Sequence, residues 1–143
     1  MTLGERELAV VLQAAVDHAR QRLAEQGSFL PFGIRAKPGG EIEFVEVQDA
    51  GGQRLEALQS ELIDTLRQET GSLLAAGLVA SVMLPDSEEF PTAIAVQLES
   101  EGFCRLILVP CRGDGEEVTT GPMNPEAATP LIYRPASCIQ VLH

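Results

Sequence analysis

From Ala93 to Glu99 the chain alternates apolar and polar residues, with Ile94, Val96 and Leu98 on one face and Gln97 and Glu99 on the other. A period of two is the mark of a strand buried on one side, so the Ile94 face is expected inward and Glu99 outward. Ser100, Glu101 and Gly102 make a short turn, and Phe103 to Val109 is a second strand-like run. The two pair as an antiparallel hairpin, so the fold must contain an antiparallel sheet. The preceding run, Leu73 to Leu84, is apolar on both faces and predicts a central strand covered on each side.

Upstream the period changes to that of a helix. Leu8, Val11, Leu12, Ala15, Val16, Ala19 and Leu23 recur at steps of three and four and predict a helix from Leu3 to Gln26. Thr2 with Glu5 reads as a capping box, and Gly27 as the left-handed stop. Leu55, Leu58, Leu62, Ile63 and Leu66 predict a second helix from Gln53 to Thr70, ended by Gly71. Between the helices, SFLPFGIRAKPGGEIEFVEV reads as a hairpin turning at Lys37 to Gly40. Pro31 cannot donate a ladder bond, which places the first of these strands at a sheet edge or gives it a bulge. In the second, Ile42 and Phe44 share one face and Val45 and Val47 the other, so the alternation slips near Phe44.

Five of the nine prolines lie from Pro110 onward, with the charged turn RGDGEE at Arg112 to Glu117. That texture predicts a mostly extended tail with short strands at Glu116 to Thr120 and Cys138 to Leu142. The expected fold class is therefore α+β: helix, two-stranded hairpin, helix, three antiparallel strands, and a proline-rich extended C-terminal tail. The 143 residues suit a single domain, with its core at 3–111 and its tail at 112–143.

Ten basic residues against 21 acidic ones give a net charge of −11, which repels phosphate backbones and anionic lipid headgroups. No nucleic-acid or membrane partner is expected, and the dozen residues of Leu73 to Leu84 are too few to span a bilayer. The acidic start, MTLGERELAV, lacks the basic flank of a secretory signal, and a cytoplasmic location is expected. Cys104, Cys111 and Cys138 are odd in number and irregularly spaced, which fits reduced thiols and not a zinc site.

Catalytic constellations are absent as sequence patterns. Neither His18, on the polar side of the first helix, nor the terminal His143 has a partner at ligand spacing. The carboxylates at Glu41 and Glu43, at Glu88 and Glu89, and at Asp114, Glu116 and Glu117 read as a solvated rim, as do those at 99 to 101. No phosphate-cradling glycine motif or nucleophile elbow occurs. No catalytic residue, cofactor or metal is expected. The leading expectation is a noncatalytic interaction module, homodimeric, that binds another protein of basic character through a sheet edge or groove. Phe29, Phe32 and Phe44 are its candidate contacts, with burial in the core as the competing fate of each. The alternative is a small-molecule-binding or sensory domain with a pocket between the sheet and the two helices.

At Phe29, Pro31, Phe32, Gly33, Gly39, Gly40 and Glu41 the chain resembles small bacterial proteins of unassigned function that share an aromatic-x-Pro-Phe-small strand start and a glycine turn. The likeness extends over most of residues 5 to 112 and implies no activity and no catalytic residue. The element order is similar to that of type III secretion chaperones and of profilin-like or roadblock-like domains, an analogy of architecture that does not fix function.

Overall fold

The computed structural model describes residues 5–27, 29–47, 54–84, 88–114 and 117–133. Helix α1, Glu5–Gln26, ends where Gly27 turns to φ 76° and donates its N–H to the Leu23 carbonyl at 2.8 Å. Strands β1 (Phe32–Ala36) and β2 (Ile42–Glu46) follow. In the turn joining them Gly40 donates to the Lys37 carbonyl, and Pro38 and Gly39, the latter at φ 97°, take the central positions of a type II turn. Helix α2 (Leu55–Arg67) and a 3-10 turn (Thr70–Ser72) lead into β3 (Ala75–Met83), β4 (Thr92–Ser100) and β5 (Phe103–Asp114). Two short strands, β6 (Glu117–Thr120) and β7 (Asn124–Ala127), complete a seven-stranded sheet in the order β2-β1-β3-β4-β5-β6, with β7 also on β5. Every pairing is antiparallel.

This corrects the expected layout of a helix, a hairpin, a helix, three strands and an extended tail. All the described strands belong to one sheet, more of the described chain is strand than helix, and the expected tail supplies β6, where a short strand was expected at Glu116 to Thr120, and β7, where none was. Pro110 hid this. It pairs with Ala93 inside β5, and its carbonyl accepts from Gly121 N–H at 2.8 Å on the side away from β4. In an antiparallel ladder a residue's N–H and C=O point the same way, so the donor that proline lacks would face the gap between β6 and β7. No bond to β4 is lost, and the strand runs on through the proline.

Pro31 likewise precedes β1, which lies between β2 and β3; the edge strand is β2. Nor does β2 slip. Its register with β1 is unbroken from Ala36↔Ile42 to Phe32↔Glu46, and its apolar groups on both faces are partly covered, Ile42 on one core cluster and Val45 on the other, with Phe44 left exposed. On one face of the sheet, Val11, Ala15, Val16 and Ala19 of α1 pack on Phe32, Ile34, Val79, Ile94, Val96 and Leu98. On the other, Leu66 of α2 meets Ala76, Val45 and Ile132. Gly77 in β3 marks a close approach of neighbouring strands: a Cβ there would lie 2.9 Å from Ile34 Cγ2 and 3.2 Å from the Gln97 carbonyl. Among the described residues, no helix is long and apolar enough to cross a membrane.

Candidate functional site

The three phenylalanines expected at a partner surface come together, around a histidine assigned from the sequence to the solvated side of α1. The His18 ring stacks on Phe44 at 4.1 Å between centroids and 12° between planes, and meets Phe32 edge-on at 4.7 Å. Phe29 lies 5.8 Å from Phe32. Phe32 is core, whereas Phe44 remains 37% exposed and Leu30, next to Phe29, 38%. Glu46 Oε1 accepts from Arg22 and lies 3.1 Å from His18 Nε2, fixing the end of β2 against α1. Arg22, Phe29, Leu30, Phe32 and Glu46 line a groove of about 110 Å3 there.

Beside this cluster β2 presents its backbone. Lys37 N–H donates to the Glu41 carbonyl at 2.8 Å, which makes Arg35–Glu43 and Gly33–Val45 the hydrogen-bonded pairs of the β1–β2 ladder. The backbone groups of Ile42, Phe44 and Glu46 therefore point away from β1, and no described strand pairs with them. The acidic character read into β2 is largely compensated. Glu43 is held by Lys37 Nζ at 3.0 Å and Arg35 Nε at 2.9 Å, and these two hydrogen bonds lower its carboxyl below the usual range. Arg35 also pairs with Glu69 after α2.

A second constellation surrounds Glu99, expected outward and in fact fully buried. The face opposite Ile94 is roofed by residues 128–133, a strap that follows β7. Glu99 Oε1 accepts the N–H groups of Ile132 and Tyr133, and Oε2 that of Leu131, each at 2.9 Å. Gln97 Nε2 donates to Oε2 at 2.8 Å and to the Thr129 carbonyl at 3.0 Å. Arg67 of α2 donates to the Leu131 carbonyl at 2.6 Å. The carboxylate thus closes a nest of successive backbone donors. No local signal could have shown this, since its partners lie more than thirty residues downstream.

Between the strap and the β4–β5 turn lies a cleft of about 540 Å3, whose walls include Thr70, Glu101, Phe103, Cys104, Arg105 and Tyr133. Its position differs from that expected of a pocket, between sheet and helices. Cys104 and Cys111, expected as reduced thiols, are free and buried. Burial, then the Glu99 charge, pushes the Cys104 thiol up to about 11, with Arg105 opposing. Burial, then Glu99 and Glu101, takes the Tyr133 phenol to about 12. Among the described residues no group of three His, Cys, Asp or Glu side chains could hold a metal ion. Thr2, Cys138, His143, Glu116 and the strand expected at Cys138 to Leu142 lie outside the described residues. Comparison of the chain with protein-family models, curated proteins and solved structures gives no match.

Proposed function

We propose that the protein is a noncatalytic binding module that takes up an extended segment of another protein along β2. The observation that carries this reading is the outward row of backbone groups at Ile42, Phe44 and Glu46 beside half-exposed Phe44 and Leu30. A strand added there gains main-chain hydrogen bonds, and its alternate side chains reach the Phe44 face and the groove lined by Phe29 and Leu30. Affinity comes from backbone and apolar contact, because Glu43 and Glu46 are already paired. The net charge of −11 adds long-range attraction for a basic partner.

Extended peptides selected by phage display against the full chain, with amide hydrogen exchange on the resulting complex, test this. The amides of Ile42, Phe44 and Glu46 gain protection, and Phe44→Pro, which removes one outward donor, weakens binding at least tenfold more than Phe44→Ala. Protection elsewhere, or equal binding by the two variants, refutes strand addition. A dimer in light scattering that Phe44→Pro converts to monomer gives the edge to a second copy of the chain and overturns the partner reading. Small-molecule binding has one observation of its own, the cleft beside Cys104 and Tyr133, on a different part of the surface.

A further inference from the structure

We propose that the cleft at the β4–β5 turn binds a small organic cation with an apolar, arylalkyl body. Its volume of about 540 Å3 lies within the range of small-molecule sites. The walls are mixed, with an apolar and aromatic side made by Phe103, Pro130, Ile132, Tyr133 and the buried Cys104.

Charge then selects the ligand. Glu101 stands in the wall and Glu99 directly behind it, against the single guanidinium of Arg105 among the described lining residues. After burial, the charge of Glu99 helps keep both the Cys104 thiol and the Tyr133 phenol protonated, and that of Glu101 acts on the phenol. An anion entering the cleft meets the Glu101 carboxylate, whereas an ammonium group is drawn to it. The aromatic surface already accepts a cation, because the Arg105 guanidinium carbon lies 5.6 Å from the centre of the Phe103 ring. Ser100 also lines the cleft, and its hydroxyl is a group to which a bound N–H can donate.

This inference rests on the small-molecule reading of the cleft and is independent of strand addition at β2. Three probes with one body separate the possibilities: phenethylammonium, 2-phenylethanol and phenylacetate, titrated into the full chain and scored by NMR shift changes at Phe103, Cys104 and Tyr133. Phenethylammonium is expected to bind roughly threefold to tenfold tighter than the alcohol, with phenylacetate weakest. Glu101→Gln, in the exposed turn, erases the preference for the amine. Arg105→Gln, which frees the Phe103 ring, strengthens amine binding. Ala128→Trp, checked for folding by its circular dichroism melt, fills the cleft and abolishes binding of all three. Equal or tighter binding of the alcohol or the acid overturns the cation assignment and leaves the cleft as a site. Failure of every probe, or binding that survives Ala128→Trp, overturns the cleft itself.

Discussion

Replacing Glu99 by glutamine keeps the shape of the side chain and changes one acceptor into a donor. Oε1 can still receive Ile132 and Tyr133, but the new amide nitrogen faces Leu131 N–H and Gln97 Nε2, both of which donated to Oε2. Gln97 cannot simply flip, because the same nitrogen also donates to the Thr129 carbonyl. Two hydrogen bonds to a charged group are lost at about 1.5–3 kcal/mol each, part of which returns when water reaches the freed donors, leaving about 2–4 kcal/mol. The cheapest relief is for the strap to lift. That exposes Ile132, worth about 2 kcal/mol of burial, and leaves the seven-stranded sheet in place. The expected result is local: amide exchange at 131–133 accelerates roughly thirty- to seven-hundredfold by the relation of tenfold per 1.4 kcal/mol. Amides in β3 and β4 keep their protection. Unchanged exchange at 131–133, or loss spread evenly over the sheet, refutes the view that this carboxylate anchors the strap.

Two further outcomes follow from burial. Because the Cys104 thiol is raised from 9.0 to about 11, native protein reacts with iodoacetamide at pH 8 far more slowly at this position than urea-unfolded protein does, as mass spectrometry of the labelled peptide reads directly. The folded state holds this proton more tightly than the unfolded one, so the associated stability is whole below pH 9 and is lost as pH rises towards about 11; Cys104→Ala flattens that part of the urea-midpoint profile. Gly77→Ala forces a methyl against Ile34 and the Gln97 carbonyl and is expected to destabilise by about 1–3 kcal/mol in urea unfolding, with no comparable loss for Gly71→Ala, where the space is open. An unaltered midpoint for Gly77→Ala would show that β1 and β3 can separate without penalty.

What was legible in the sequence follows from periodicity. The stripe of α1, the Leu58–Leu62–Leu66 face of α2, the Pro-Gly turn and the β4–β5 hairpin are all local patterns, and each forms where its spacing places it. Three matters were decided only by tertiary structure, because each depends on which chain segment arrives from a distance. Proline density from Pro110 onward read as a mostly extended tail, with a short strand expected where β6 forms, yet the missing donor faces a break between neighbouring strands, so β5 continues and pairs with both β6 and the unexpected β7. His18, on the nominally polar side of its helix, is covered by Phe44 from a strand 26 positions on. Glu99 obeys its alternation and does point away from Ile94, but period two reports only the direction of a side chain. Whether that direction meets water or a strap of backbone donors depends on a segment more than thirty residues later, and at Glu99 it turns a solvated acid into the anchor of a fold element.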